Sequence, residues 1–147
     1  MRAQPSTSTT TTAAGRREAN AVVADLIRFL ETGTVPEQLF AADAFADLSL
    51  PHWRIQTATA AQIIALRAES HPSPGQVRVE RVEQTRHGFT IEFEERWEDG
   101  AQRWYCREMI RADVADGSIT EMSIYCTGDW DEARQREHAR AVSLIRR

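Results

Sequence analysis

Cysteine is scarce in this chain of 147 residues, which contains only Cys106 and Cys126. The two form no C-x-x-C pair, and this argues against a zinc site or a disulfide scaffold. The first residues also lack the apolar core of a secretory signal peptide. We therefore expect a cytoplasmic protein in which both cysteines are free thiols.

Long apolar runs and an excess of basic residues are absent as well. No stretch approaches the roughly 18 apolar residues of a membrane span, so no membrane association is expected. The formal net charge is −4 at pH 7, and no basic stripe of the kind that binds nucleic acid is present. Membrane and nucleic acid are therefore both excluded as expected partners.

Residues 1–15 have little to bury. The segment Thr9–Thr12 lies in a Ser-, Thr- and Ala-rich stretch, a composition typical of a disordered tail. Residues 16–147 are predicted to form a single domain, which is long enough to bury a core of its own.

Helical spacing of apolar residues, with Gly and Pro at the ends, predicts the elements outside the central sheet. The last helix is expected to start at Asp129, with Glu132 three residues later as in a capping box. Asp129 is therefore interpreted as a cap rather than a catalyst. The predicted elements are helices at Arg16–Leu30, Pro36–Phe40, Ala58–Glu69 and Asp129–Arg147, and a strand at Phe45–Leu50.

Alternating apolar and polar residues predict a meander of four strands in the second half of the chain. Asp99-Gly100 is the strongest hairpin signal among the turns. A two-residue turn at this point would pair Phe93 with Cys106 and Glu95 with Trp104. The predicted strands are Val77–Thr85, Phe89–Trp97, Gln102–Val114 and Ile119–Cys126.

The last hairpin has two possible registers. A three-residue Asp116–Ser118 loop with a glycine bulge would pair Glu108 with Cys126. A two-residue loop would instead turn Tyr125 to the inner face. The first register is preferred because the set that contains Ile124 and Cys126 is the more apolar one.

Two glutamates interrupt the apolar face of the central hairpin. Glu95 continues the set that contains Ile91 and Phe93, and Glu108 belongs to the set that contains Ile110. A buried carboxylate is costly unless it is paired, protonated or facing a cavity. In an apolar pocket the pKa of each would rise toward neutrality, which suits a general acid and base. The alternatives are that each pairs with an arginine, or that Glu95 lies near a wet sheet edge.

Two segments resemble the nuclear transport factor 2-like (NTF2-like) superfamily and, within it, the SnoaL-like polyketide cyclase and ketosteroid isomerase branch. They are Leu39-Phe40-Ala41-Ala42-Asp43-Ala44-Phe45-Ala46-Asp47 with Leu50-Pro51, and Ser123-Ile124-Tyr125-Cys126-Thr127-Gly128-Asp129-Trp130-Asp131. The resemblance implies an α+β, cone-shaped (cystatin-like) fold, with N-terminal helices packed on a curved antiparallel sheet and a C-terminal helix. It also implies a pocket between helices and sheet, and a homodimer. It does not by itself imply catalysis.

The resemblance also suggests a base. The isomerase-type aspartate would fall close to Leu48, with Asp47 one position away on the other strand face. Asp47 is a candidate base, and the alternative is a solvent-facing or capping aspartate. His52, beside Trp53 and Arg54, is a candidate proton shuttle at the pocket mouth, and the alternative is an exposed loop histidine.

Aromatic and thiol side chains supply the expected pocket wall, which would suit flat apolar ligands. The cysteines are interpreted as small buried hydrophobes because neighbouring carboxylates raise a thiol's pKa. No metal-ligand spacing or cofactor motif is present, so neither a metal nor a cofactor is expected. The candidate ligand-binding residues are Trp53, Trp97, Trp104, Cys106, Tyr125, Cys126 and Trp130.

The sequence leaves two functions open. The first is a cofactor-free cyclase, isomerase or dehydratase acting on a hydrophobic carbonyl compound. In this enzyme Glu108 or Asp47 would remove a proton next to the carbonyl, and His52 or Glu95 would return one or stabilise the enolate. The second is a non-catalytic ligand-binding or protein-interaction module. A pocket filled by the side chains of Trp97, Trp104 and Trp130 would favour the second, and a closed pocket with two carboxyl groups of raised pKa would favour the first.

Overall fold

The computed structural model describes residues 13–147, with side chains from residue 18 onward. These residues form an α+β fold in which helices pack on a curved, unclosed sheet. The expected tail lies largely outside the described part, and the first helix begins at Ala13, inside the predicted tail. The elements are α1 (Ala13–Thr32), β1 (Phe40–Leu50), β2 (Trp53–Thr57), α2 (Ala60–Ser70), β3 (Gly75–Gln84), β4 (Gly88–Asp99), β5 (Gln102–Ala115), β6 (Ser118–Cys126) and α3 (Glu132–Ala141).

The six strands lie in the order β2-β1-β6-β5-β4-β3. All neighbours are antiparallel except β1 and β6, which run parallel. β3 to β6 therefore form the predicted meander, and β1 returns from the helical half of the chain to extend it. The connection leaves α1 and α2 on one face of the sheet, where α1 contacts β3 and α2 contacts β1.

The first half of the chain departs from the predictions between α1 and α2. The helix expected over Pro36–Phe40 is wrong, because this segment forms a turn and Phe40 already begins β1. The strand β2, which follows a tight turn at Pro51 and His52, was not predicted from the sequence. β1 and β2 form a hairpin in which Leu50 pairs with Trp53.

The β4–β5 hairpin differs from the predicted register by two residues. Its turn is Gly100-Ala101, with Gly100 at φ +62°, so Asp99 pairs with Gln102 instead of lying in the turn. Phe93 consequently pairs with Glu108 and Glu95 with Cys106, and the predicted pairs are wrong. A shift of two residues keeps every side chain on its predicted face.

The β5–β6 hairpin confirms the preferred pairing of Glu108 with Cys126. The predicted three-residue loop is wrong, because the turn consists of the two residues Asp116-Gly117. The extra residue lies within the strand pair, where the register shifts between Asp113 and Val114. Both turn residues have positive φ, at 53° and 78°, as a tight turn of this hand requires. The inward set is therefore Met122, Ile124 and Cys126.

The last helix is shorter than predicted, with α3 ending at Ala141. Its N-cap is Asp131, whose side chain accepts a hydrogen bond from the backbone N–H of Arg134 at 2.8 Å. The expected cap, Asp129, lies two residues earlier and is wrong for that role. Between them, Trp130 exchanges two backbone hydrogen bonds with Tyr105 of β5, which fixes α3 beside β5.

The core lies between α1, α2 and the inner sheet face. Alternation within each strand and helical spacing within α1 deliver its side chains from both layers. Within the described helices, none is both long and apolar enough to cross a membrane. The largest fully buried core residues are Leu26, Leu39, Phe89, Ile91, Phe93, Ile110 and Ile119.

Candidate functional site

A cavity of about 270 Å³ separates α1 and α2 from the strands β1, β2, β5 and β6. Its wall is mostly aliphatic, and its volume approaches the range of small-molecule sites. A few polar side chains interrupt the apolar wall. They are Thr57, Arg67, Ser70, His71, Glu108, Cys126 and Asp129.

Glu108 supplies the carboxyl group of the cavity wall. It is 9% exposed, and alternation along β5 points it inward beside Ile110. Burial and then the negative charge of Glu95 raise the pKa of Glu108 well above its ordinary value. The Cys106 thiol donates a hydrogen bond to Glu108 Oε1 at 3.2 Å. The protonated form of Glu108 is therefore favoured relative to that of an exposed glutamate.

Glu95 lies diagonally across the hairpin from Glu108 and is ionised. Arg67 of α2 donates two hydrogen bonds to it, at 2.6 and 3.1 Å. Burial by itself would raise the pKa of Glu95, but the hydrogen bonds from Arg67 and Glu108 and the charge of Arg67 outweigh it and lower that pKa. Arg67 also donates to the carbonyl of Leu30 at 2.6 Å, so the same guanidinium joins α1, α2 and β4.

His71 and Asp129 meet at the rim of the cavity. His71 follows the last turn of α2, and its ring stacks on Trp97 at 4.2 Å between centroids. Its Nε2 lies 3.4 Å from Asp129 Oδ1. Its buried Nδ1 has no hydrogen-bond partner among the described residues and lies 3.8 Å from Glu95 Oε2. The Asp129 side chain is 38% exposed, so it faces both the cavity and water.

The two thiols lie between these carboxyl groups. The neighbouring Cys126 thiol, burial and the nearby carboxylates raise the pKa of Cys106. Cys126 lines the cavity, with Sγ 3.8 Å from Glu108 Oε1 and accepting a hydrogen bond from the Gly128 N–H at 3.3 Å. Donor atoms of Cys106, Cys126 and Asp129 lie within 4.8 Å of one another. Donor atoms of Glu95, Cys106 and Glu108 also lie within 4.8 Å of one another. The positive charge of Arg67, which is bound to Glu95, disfavours a metal ion at this second group.

Comparison with known proteins gives a match in structure and none in sequence. Neither protein-family models nor curated proteins match the chain. An NTF2-like protein from Anabaena variabilis matches at a TM-score of 0.67 and 15% identity, over 84% of this chain and 97% of its own. The epoxide hydrolase/cyclase-like enzyme SalBIII, which has a role in pyran ring formation in the polyether salinomycin, matches at 0.64 and 11%, over 78% and 98%.

This chain has the NTF2-like fold. A further structure with this fold, an LEH-like epoxide hydrolase from M. tuberculosis, matches at a TM-score of 0.59 and 14% identity, over 75% of this chain and 83% of its own. At such identities the likeness establishes the fold alone, and the chemistry has to come from the residues of this chain.

The NTF2-like fold places the candidate base Asp47 away from the cavity. Its neighbours Ala46 and Leu48 line the cavity, so Asp47 faces the outer side of β1. Arg54 and then Gln56 donate hydrogen bonds to it, at 2.8 and 3.1 Å, and lower its pKa to about 2. A carboxylate held in this way is a weak base, so Asp47 has no part in the function proposed below.

His52 and the predicted aromatic wall also lie outside the cavity. His52 is exposed in the β1–β2 turn and Trp53 is 70% exposed. Trp97 and Trp104 stack at 6.4 Å between centroids beside a separate groove at the end of the sheet. Tyr125, 62% exposed, faces outward.

Trp130 packs against Tyr105 and His138 on the α3 side. Cys106 is buried in the sheet but does not line the cavity. Of the predicted site residues, only Glu108 and Cys126 line the cavity directly, and Glu95 lies just behind Glu108.

Sequence reasoning missed Arg67, His71, Asp129 and Thr57. Arg67 follows the apolar residues of α2 and is a lone arginine on the apolar side of that helix. Together with two glutamates predicted on the inner sheet face, this pattern could have indicated an ion pair between helix and sheet. Asp129 follows Gly128, whose φ of +77° turns the chain at the end of β6 and brings the carboxylate back to the cavity rim. No sequence pattern marks the other two.

Proposed function

We propose that this chain is an acid–base enzyme of the isomerase, cyclase or dehydratase type, acting without a cofactor on a hydrophobic carbonyl compound in its cavity. The observation that carries the proposal is the buried carboxyl group of Glu108 in a mostly aliphatic wall, where burial and the charge of Glu95 raise its pKa well above the ordinary value. A carboxylic acid kept uncharged at neutral pH donates a hydrogen bond or a proton to a carbonyl oxygen.

Asp129 is the matching base. It lies within 4.8 Å of the Cys126 thiol, which is itself 3.8 Å from Glu108. Acid and base therefore flank the same thiol, with His71 holding the Asp129 carboxylate at 3.4 Å. Two carboxyl groups in unlike surroundings, one dry and one at the rim, separate into acid and base in this way.

The step is a proton transfer through an enol. Asp129 takes the proton from the carbon next to the carbonyl, and that C–H electron pair moves to form the carbon–carbon double bond of the enol. The carbonyl π electrons move to the oxygen, where Glu108 donates its hydrogen bond or proton. Return of the proton from Asp129 to a carbon, and from the enol oxygen to Glu108, completes an isomerisation without any net change in charge.

Deuterium exchange into decan-2-one tests this proposal. The wild-type chain is expected to accelerate loss of the NMR signals of the protons next to the carbonyl in D₂O. Glu108→Gln and Asp129→Asn should each slow exchange by about 100-fold or more, because general acid–base catalysis contributes at least that much. Glu98→Gln and Asp43→Asn are the matched controls, since both residues are exposed and neither lines the cavity. Exchange no faster than in buffer would overturn the enzymatic proposal.

A non-catalytic carrier of apolar molecules is the second candidate. The exposure of Asp129 favours it, since water next to a base weakens proton transfer. The side chains of Trp97 and Trp104 line a separate groove and do not fill the cavity, and this favours the enzyme instead. For a carrier, decan-2-one would bind with unchanged affinity in Asp129→Asn, and exchange would stay at the rate in buffer. The two neighbours described as epoxide hydrolase-like suggest an epoxide as a further probe, because its oxygen accepts the same hydrogen from Glu108.

We also infer a homodimer in the cytoplasm. Exposed Met109 and Tyr125 pair across β5 and β6 on the outer sheet face, and a second copy would cover them. The two free thiols suit a reducing compartment. Light scattering should give twice the chain mass, and Tyr125→Lys should give the monomer. A monomeric wild-type chain would contradict the inference.

A further inference from the structure

Besides His71 Nδ1, one other buried polar atom in the described part of the cavity wall has no hydrogen-bond partner, and it lies far from Glu108. It is the hydroxyl of Thr57 on β2, which is fully buried and makes no hydrogen bond within the described residues. A buried hydroxyl without a partner is costly, and buried polar groups are almost always satisfied by protein, water or ligand. The hydroxyl therefore points to a polar group of whatever fills the cavity.

The sheet register gives the separation of the two polar groups. Thr57 pairs with Ala46, and Ala46 pairs with Met122 of β6. Glu108 pairs with Cys126, four residues further along the same strand. Four residues span roughly 13 Å, and β2 and β5 are also three strand spacings apart, about 14 Å along the sheet. The two positions thus lie at opposite ends of the cavity, on the order of 19 Å apart along the sheet, and the curvature of the sheet brings their side chains closer together.

The wall between these ends is apolar. Leu48, Ile55, Ile110 and Ile124 project from the strands, and Ile63 projects from α2. No charged side chain of the described residues lines this middle section, since the charged cavity residues Arg67, Glu108 and Asp129 all belong to the Glu108 end. A flexible or flat hydrocarbon fits such a wall, and a polar group in the middle of the ligand would be left unpaired.

We propose that the cavity binds an elongated aliphatic compound with an oxygen function at each end, and that Thr57 is the contact for the second oxygen. This inference rests on the proposed function, which places a carbonyl at Glu108, and it deepens it by naming the substrate class. The Thr57 hydroxyl both donates and accepts, so it satisfies a carbonyl or a hydroxyl group at the far end.

The test compares two ketones of equal chain length by calorimetry. Decane-2,9-dione carries a carbonyl near each end, and decan-2-one carries one. The dione is expected to bind about fivefold to tenfold more tightly to the wild-type chain, the effect of one neutral hydrogen bond. Thr57→Val keeps the shape of the side chain and removes the hydroxyl, so it should abolish this advantage without weakening the binding of decan-2-one.

Two controls make the comparison specific. Thr90→Val is the matched variant, since Thr90 does not line the cavity, and it should retain the preference for the dione. Hexane-2,5-dione is too short to reach both groups and should gain nothing from Thr57. Thermal unfolding of Thr57→Val, which fills the same volume, should show that it folds.

The outcomes separate this inference from the proposed function. If Glu108→Leu weakens decan-2-one but Thr57→Val leaves the preference for the dione intact, the two-ended ligand is wrong and the role of Glu108 stands. If Thr57→Val abolishes the preference while Glu108→Leu changes nothing, the Thr57 contact stands and the proposed function is wrong. If neither ketone binds the wild-type chain, both are overturned.

Discussion

Glu95 and Glu108 occupy diagonal positions on one face of the β4–β5 hairpin, and both are almost completely buried. They differ in what the helices present to them. Arg67 of α2 reaches Glu95 with two hydrogen bonds, while Glu108 faces the cavity and a thiol. The pKa of the first is lowered and that of the second is raised.

The difference shows that one helical side chain contributes to both charge states. Arg67 stabilises the carboxylate of Glu95, and that negative charge adds to the effect of burial, which is the larger cause of the raised pKa of Glu108. The strands supply two equivalent glutamates, and α2 makes them unlike. A neutral acid beside an ionised partner is the condition on which the proposed chemistry depends.

Removing the cation should have the largest effect. Arg67→Met is expected to destabilise the chain by about 3 to 5 kcal/mol, because it leaves the Glu95 charge buried without its partner. Urea unfolding at pH 7 measures the loss. Combining it with Glu95→Gln should recover a large part, since the second change removes the stranded charge.

The exposed pair of Arg54 and Asp47 provides the control for that experiment. Arg54 is 65% exposed at its side chain, so Arg54→Met should destabilise the chain much less than Arg67→Met does. Equal losses for Arg67→Met and Arg54→Met would contradict the view that burial gives the Arg67 pair its weight.

Replacing the neutral acid should change the pH dependence of stability. The folded pKa of Glu108 lies above the ordinary value of 4.5, so the folded state binds this proton more tightly than the unfolded chain. The stability gained from it is fully present below pH 4.5 and is lost as the pH rises through the folded pKa. Glu108→Gln should remove this decline, whose slope is at most about 1.4 kcal/mol per pH unit for one proton.

The measurement is the free energy of unfolding of both chains from pH 4 to pH 9. The difference, wild type minus Glu108→Gln, should fall with rising pH. The exposed Glu98 gives the control, because Glu98→Gln should run parallel to the wild type. A flat difference for Glu108→Gln would mean that the folded chain binds this proton no more tightly than the unfolded chain does, and the neutral acid would be lost with it.

The sequence is sufficient to predict the strands of this comparison but not the helix contact. Period-two alternation puts both glutamates on the inner face, and it does so even though the predicted β4–β5 register is wrong by two residues, because such a shift keeps the faces. The residue that approaches each glutamate from α2 depends on how the helix packs across the sheet, a non-local contact without a periodic signature. Asp47 illustrates a different limit, since its strand was predicted and its solvent-facing position was one of two alternatives, but its partner Arg54 was not predicted.

The cavity rim is the part that sequence reasoning could least reach. Asp129 and Glu132 have capping-box spacing, yet Asp131 caps α3, because Trp130 first pairs with Tyr105 and the helix begins two residues later. Thr57 was equally hidden, since it lies in a strand that the sequence did not reveal. Both residues acquire their positions from contacts between distant segments.

Replacing the ionised partner should change the slope of the pH dependence least, and with the opposite sign. The folded pKa of Glu95 lies below its ordinary value of 4.5, with burial opposing the hydrogen bonds and the charge that lower it. Its contribution is therefore present above pH 4.5 and is lost as the pH falls through the folded pKa. In Glu95→Gln the acid-side decline should be shallower than in the wild type, although the whole curve lies lower because Arg67 has lost its carboxylate. Unfolding from pH 2.5 to pH 6 measures the slopes, with Glu98→Gln again as the control. Glu95→Gln and Glu108→Gln could instead change the free energy of unfolding over the same pH range and in the same direction. The two glutamates would then have pKa values shifted in the same direction, and Arg67 would not distinguish them.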